Sequence, residues 1–217
     1  MQVWIDTLLI FLVLTNFLLL GSSRLGACIR FVALQGTLLG VFTLVAHEDG
    51  LTLWTLAFAA ISTGLKGGVF PWLMMRALRE ANVRREIEPY VGYSLSILVG
   101  MMVLAVSLWL SARLPLPSPP LSSLIAPVAL FSILVGLFVI ISRKTALTQV
   151  LGYLVLENGI YAFGVGLVQR TPMLVELGVL LDVFVAVFVM GIAIFHINRQ
   201  FDHIDTDQLA TLKDWVS

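Results

Sequence analysis

The chain has 217 residues, of which 59% are hydrophobic and 12% are charged, and its mean hydropathy is +1.00. A soluble domain carries about 25% charged residues, so this composition excludes a water-soluble enzyme and indicates a protein whose surface lies in lipid. The thirteen basic and thirteen acidic residues give a formal net charge of zero. Such a balance provides no general attraction for nucleic acid or for an acidic partner.

Seven apolar runs follow one another along the chain, each long enough to cross a bilayer. A hydrocarbon core of about 30 Å needs about 20 helical residues, and short polar, charged or Pro-rich connections separate the runs. The sequence therefore predicts an all-α membrane protein with seven transmembrane helices. The first run has no Lys or Arg ahead of it and is interpreted as a retained helix, not a signal peptide. The predicted helices are 4–20, 25–46, 51–75, 90–112, 121–142, 146–168 and 173–197.

The basic residues between these helices predict the orientation of the chain. Connections on one side of the membrane hold only Arg113 and Arg170, and Lys66 lies within a helix. The more basic side of a membrane protein is cytoplasmic, which predicts an external N-terminus and a cytoplasmic C-terminus. The ten basic residues on that side are Arg24, Arg30, Arg76, Arg79, Arg84, Arg85, Arg143, Lys144, Arg199 and Lys213.

A weak internal repeat divides the chain into units. The segment FVALQG at 31–36 resembles YLVLEN at 153–158, so Gln35 corresponds to Glu157, and extending the match places Lys66 near Asp182. The two units run parallel, whereas many secondary transporters have inverted repeats. The predicted division is a three-helix unit at 1–89, a linker helix and Pro-rich loop at 90–120, a second three-helix unit at 121–199 and a cytoplasmic tail at 200–217.

Three ionisable residues, Lys66, Glu157 and Asp182, lie near the middle of predicted helices. Each costs about 2.5–3.5 kcal/mol at mid-bilayer, so all three should face protein or water and find partners. Together they carry a charge of minus one, which a single proton neutralises, and the sequence therefore predicts a proton relay. The alternative is a buried ion pair that only fixes helix packing. Glu176 and Asp6 lie near helix ends, where a solvated carboxylate is the favoured interpretation.

Residues around these charges are candidates for supporting roles. The segment GLKGGVFP at 64–71 predicts a weakened or kinked third helix, and close helix packing through small residues is its alternative role. Gln35, Asn158 and Tyr161 could hydrogen-bond to a partner helix or to water. They complete the predicted site.

The sequence predicts no metal or redox cofactor. Cys28 is the only cysteine, so the chain has neither an internal disulfide nor a cysteine cluster for zinc or iron–sulfur binding. His47, His196 and His203 are too scattered to propose a haem or metal site. Any redox chemistry must therefore take place in partner subunits.

At these residues the chain resembles hydrogenase-4 component E, a membrane subunit of group 4 [NiFe]-hydrogenase complexes of the formate hydrogenlyase kind. The resemblance covers essentially the whole chain and is carried by Leu156-Glu157-Asn158-Gly159, by the helix at 175–197 and by the tail that begins HINRQ at 196. The second half is also similar to the small K subunit of respiratory complex I and to the C subunit of multi-subunit Na⁺/H⁺ antiporters.

The resemblance implies a non-redox subunit of a proton- or Na⁺-translocating membrane arm in the bacterial or archaeal cytoplasmic (inner) membrane. Its implied partners are antiporter-like and quinone-site-like membrane subunits and the [NiFe]-hydrogenase and iron–sulfur subunits. Glu157 matches the family's mid-helix carboxylate, whereas the second carboxylate aligns near Phe184, two residues beyond Asp182. Lys66 lies in the half that the K subunit lacks. A passive membrane scaffold and a stand-alone small ion transporter stay open as alternatives.

Overall fold

The computed structural model describes residues 2–46, 53–80, 89–114 and 122–167, and all elements in these ranges are helical. The predicted seventh helix at 173–197, which contains Asp182 and Glu176, lies outside the described residues, as does the tail at 200–217. The elements are α1 (Gln2–Gly21), α2 (Leu25–Ala46), α3 (Leu53–Gly64), a π-helical segment (Leu65–Val69), α4 (Phe70–Glu80), α5 (Tyr93–Ser111), α6 (Ile125–Ser142) and α7 (Ala146–Leu167).

The third helix is irregular at 64–71, as the sequence predicted, but its predicted end at 75 is wrong. A π-helical segment joins α3 to α4, with the backbone N–H of Phe70 donating to the carbonyl of Leu65. Pro71 has no N–H to donate and Gly67 has no side chain, and both features favour an irregular turn at this point. The helix then continues to Glu80, beyond the expected break at Arg76, because Arg, Ala, Leu and Glu are strong helix formers in water.

Within the described helices the buried apolar residues form two clusters, and a layer of polar side chains lies between them along the helices. The Phe42 cluster includes Ile5, Leu9, Leu39, Phe42, Ile125, Ala129 and Ala162. The Phe131 cluster includes Leu20, Ile29, Phe70, Phe131, Val139, Leu151 and Val155. Each of α1, α2, α6 and α7 passes from one cluster to the other, and the buried polar residues at the crossing are Thr15, Asn16, Gln35, Ser132, Glu157 and Asn158.

Helices α1 and α6 run in the same direction, and α2 and α7 run opposite to them. Ser122 donates a hydrogen bond to Asp6, and Asn16 donates one to Ser132; both pairs are separated by 116 residues, as in two parallel helices in register. Helices α2 and α7 both begin in the Phe131 cluster and end in the Phe42 cluster.

Among the helices that the structure describes, α1, α2, α5 and α6 are long and apolar enough to cross a membrane. Helix α5 packs against α1 and α6, and its outer face leaves large apolar side chains exposed, among them Leu98, Met101, Met102, Val106 and Trp109. Such a surface is suited to lipid or to another subunit. The chain is thus a membrane protein, while the count of seven spans and the orientation stay predictions.

Basic and aromatic residues connect several helices at one end of the bundle. The buried guanidinium of Arg143 donates a 3.0 Å hydrogen bond to the carbonyl of Leu20 and lies 4.5 Å from the ring centroid of Tyr93. The N–H of Tyr90 donates to the carbonyl of Ser142 at 3.1 Å. These contacts join the end of α1, the start of α5 and the connection from α6 to α7.

Glycines allow α6 and α7 to approach closely. A Cβ added at Gly136 would lie 2.5 Å from the backbone N of Leu156, and one at Gly159 would lie 2.7 Å from the backbone N of Ile133. Real Cβ atoms do not approach backbone this closely, so glycine is required at these positions. The tight contact holds α7, which carries Glu157, firmly against its neighbour.

We expect Gly136→Ala to destabilise the folded protein by about 1–3 kcal/mol, because the added methyl group must push the two helices apart. The measurement is the midpoint of thermal unfolding of the purified chain in detergent. Gly164→Ala is the matched control, since a Cβ at Gly164 meets no heavy atom within 4 Å. Equal midpoints for the two variants would contradict the packing described for α6 and α7.

Candidate functional site

A buried ion pair lies in the polar layer between the two apolar clusters. The Nζ atom of Lys66 donates to Oε1 of Glu157 at 2.5 Å, and the two side chains are 3% and 2% exposed. Two of the three residues predicted to lie together at mid-depth are therefore in direct contact. The third, Asp182, lies outside the described residues.

The π-helical segment and α2 together position Lys66. A Cβ added at Gly36 would lie 2.7 Å from both the carbonyl carbon and the Cβ of Lys66, and one at Gly67 would lie 2.6 Å from Cγ2 of Thr37. The backbone of the π segment is therefore in close contact with α2. The sequence predicted either a kink or close helix packing at 64–71. The structure has both, because the helix is irregular here and Gly67 packs closely against α2.

Tyr161 lies one turn beyond Glu157 on α7 and contacts the same lysine. Its ring centroid is 4.4 Å from Nζ of Lys66. The phenol oxygen lies 2.9 Å from Oγ1 of Thr43 on α2, and Thr43 in turn donates to the carbonyl of Leu39 at 2.9 Å. The ammonium group thus has a carboxylate and an aromatic face as neighbours.

A network of neutral polar side chains lies beside the ion pair and links four helices. Nε2 of Gln35 donates to Oδ1 of Asn16 at 2.8 Å and to Oγ1 of Thr15 at 3.1 Å. Its Oε1 accepts a hydrogen bond from Asn158 at 3.3 Å. Asn16 then donates to Ser132 at 2.9 Å. All five side chains are buried.

This network and the ion pair differ in their chemistry. Carboxamide groups neither gain nor lose a proton in the ordinary pH range, so Gln35, Asn16 and Asn158 hold the helices in register without carrying charge. Lys66 and Glu157 are the titratable groups of the site. Their burial makes any change in their protonation costly unless a neighbouring group compensates for it.

Sequence reasoning placed Gln35, Asn158 and Tyr161 in supporting roles, and each has a contact of that kind. It missed Asn16, Ser132, Thr15 and Thr43, which lie inside apolar runs. The available signal was a polar residue near the centre of a transmembrane run, since such a residue seeks a partner. The sequence prediction applied this argument to the ionisable residues and not to these four neutral ones.

Within the helices that the structure describes, no group of three or more His, Cys, Asp or Glu side chains could hold a metal ion. Cys28 is buried in the Phe131 cluster. Near the other end of the bundle, Asp6 accepts its hydrogen bond from Ser122 and lies apart from the ion pair.

A membrane-embedded helical bundle with an ion pair in its interior defines the class of protein, and the comparisons define the family. The chain is 32% identical over 206 residues to Uncharacterized protein Rv0085 of Mycobacterium tuberculosis, an alignment that covers 94% of this chain and 93% of that protein. The chain belongs to the same family as this mycobacterial protein.

More distant relatives carry a functional name. Hydrogenase-4 component E of Escherichia coli K12 and that of Shigella flexneri are each 26% identical over 206 residues, covering 93% of this chain and 94% of the relative. The similarity shows distant full-length homology to hydrogenase-4 component E. No family model matches the chain, and no solved structure matches it.

We expect Gln35→Leu to destabilise the protein by about 1–3 kcal/mol for each polar group that loses its partner, because Asn16 and Asn158 both bond to this side chain. The free energy of unfolding can be measured by titration with a denaturing detergent. Thr37→Val is the control on the same helix, since its hydroxyl bonds only to the carbonyl of Leu34 in its own turn. An equal, small effect of both variants would show that the amide network contributes little.

Proposed function

We propose that this chain is a non-redox membrane-arm subunit of a complex-I-like, membrane-bound [NiFe]-hydrogenase complex, in which Lys66 and Glu157 take part in translocating protons. The homology to hydrogenase-4 component E supports a place in a hydrogenase complex as an accessory subunit and not a catalytic one. The single observation that carries the ionic role is the 2.5 Å contact between Lys66 and Glu157 in the bundle interior.

The energetics of such a pair favour a functional role over a purely structural one. Removing two charges from water costs several kcal/mol per ion, and a well-packed apolar pair is often as stable or more stable. A buried pair therefore adds little stability compared with an apolar contact of the same size. A change of charge inside the membrane, in contrast, requires ionisable groups of this kind. Na⁺ in place of H⁺ stays open for the complex as a whole.

Several finer assignments belong to the same proposal. Asp182 serves as the second carboxylate, and the helices at 121–199 correspond to the small K subunit of complex I and to the C subunit of Na⁺/H⁺ antiporters. Antiporter-like and quinone-site-like membrane subunits lie on either side of the chain. The [NiFe]-hydrogenase and iron–sulfur subunits of a formate hydrogenlyase-like assembly carry out the electron transfer, in the cytoplasmic membrane with seven spans.

A passive scaffold is the alternative for which the structure also offers an observation. The amide network joins α1, α2, α6 and α7 through neutral groups alone, which is what a spacer between larger subunits would need. The two functions differ in what a neutral replacement of the ion pair does, because a scaffold requires packing and a relay requires titratable groups.

The decisive experiment compares two single variants with the double variant. Lys66→Met or Glu157→Gln alone leaves one charge buried without its ion-pair partner and should destabilise the chain by about 3–5 kcal/mol. The double variant removes both charges and should regain most of that stability. We expect it to assemble but to lose translocation, measured as quenching of an acridine dye in inverted membrane vesicles during hydrogenase turnover.

Asp6→Asn provides the control. It makes the same kind of carboxylate-to-amide change near the N-terminal end of α1, where Asp6 accepts a hydrogen bond from Ser122. It should leave dye quenching near the parental level. A double variant that assembles and still acidifies the vesicles at the parental rate would exclude the relay and favour the scaffold. The amount of each variant in the membrane, measured by immunoblot, normalises the rates.

A further inference from the structure

We infer that Tyr161 is a positioning residue whose ring face holds the ammonium group of Lys66 while Glu157 gains or loses its proton. The inference deepens the proposed function and rests on it. The observation is geometric: Nζ of Lys66 lies 4.4 Å from the ring centroid of Tyr161 and 2.5 Å from Oε1 of Glu157. A cation within about 6 Å of an aromatic centroid is attracted by the negative face of the ring.

The phenol of Tyr161 makes a second contact, with α2. The phenol oxygen lies 2.9 Å from Oγ1 of Thr43, and either oxygen can be the donor. Thr43 also contacts the carbonyl of Leu39 at 2.9 Å. The role inferred for Tyr161 belongs to its ring face, which lies against the ammonium group of Lys66.

The need for such a ring follows from the charge change at Glu157. When the carboxylate binds a proton, which becomes the O–H of a carboxylic acid, the ammonium group of Lys66 loses the negative charge of its partner. A buried cation that loses an attractive contact becomes more costly to hold in the protein interior. The ring already touches the ammonium group, so it can stabilise the cation in both states without a large movement of Lys66. The proton can then leave Glu157 as easily as it arrived.

The test separates the electrostatic property of the ring from its size. Fluorine atoms withdraw electron density from the ring face and weaken cation binding while the ring keeps its shape. We therefore propose Tyr161→Phe, followed by mono-, di- and trifluorophenylalanine at position 161, with Tyr161→Leu as the endpoint. Each full-length variant is placed in the intact complex, and the rate of dye quenching in inverted vesicles is measured together with hydrogenase turnover.

We expect Tyr161→Phe to keep a rate within about twofold of the parent. Successive fluorination should lower the rate in graded steps, and Tyr161→Leu should lower it by about 2- to 30-fold, the range that a cation–π contact of ordinary strength corresponds to. The same series at Phe163 is the control, because its ring lies two residues further along α7 and packs on the Phe42 cluster. Rates there should not follow the number of fluorine atoms.

The outcomes distinguish this inference from the proposed function. A flat series at position 161, or a parental rate in Tyr161→Leu, overturns the role of the ring if the double variant of Lys66 and Glu157 has lost translocation. A parental rate in that double variant overturns the relay and the role of the ring together. Parallel declines at positions 161 and 163 would also overturn the inference, since they would reflect packing alone.

Discussion

Inside a bilayer a polar group cannot be satisfied by lipid and needs a partner in the protein or in enclosed water, and the interior of this bundle is organised around that constraint. Water is absent from the hydrocarbon region, so an isolated lysine or glutamate there is costly. Lys66 and Glu157 reduce this cost by forming an ion pair with an N–O distance of 2.5 Å. The pair joins the π segment, which carries the lysine, to α7, which carries the glutamate. Glycines hold both elements close to their neighbours, Gly36 of α2 against Lys66 and Gly136 of α6 against α7.

The polar layer combines two kinds of group with different consequences. The amides of Asn16, Gln35 and Asn158 are hydrogen-bonded to one another and to neighbouring hydroxyls, and they hold four helices in register. They do not titrate. The ion pair beside them is the part of the layer whose charge can change. A rigid neutral network next to a titratable pair allows the charge to change without the helices losing their alignment.

The π-helical segment connects these features to the backbone. A π turn within an α-helix is rare and is found most often near functional sites. Here it places Lys66 in the interior, with Gly64, Gly67 and Gly68 around it. The family relationship to Rv0085 and the distant homology to hydrogenase-4 component E extend over almost the whole chain. The aligned region therefore includes the whole candidate site and not only one part of it.

Composition and hydropathy by themselves determined that the chain is a helical membrane protein. Runs of about 20 apolar residues match the hydrocarbon thickness of a bilayer and would be unfavourable in water. They also identified Lys66 and Glu157, since a charge in the middle of an apolar run is conspicuous in any sequence. Helix ends were less well determined: α4 continues to Glu80 because hydropathy marks where the lipid ends and not where the helix ends.

Only the tertiary structure decided which of the polar residues meet. Asn16 and Ser132 are 116 positions apart, and each is ordinary within its own helix. The contact of Tyr161 with Lys66 likewise depends on how α7 is rotated against the π segment. A single sequence records how apolar each helix is but not its rotation about its own axis relative to its neighbours. That rotation is set by the packing of glycines and side chains in three dimensions.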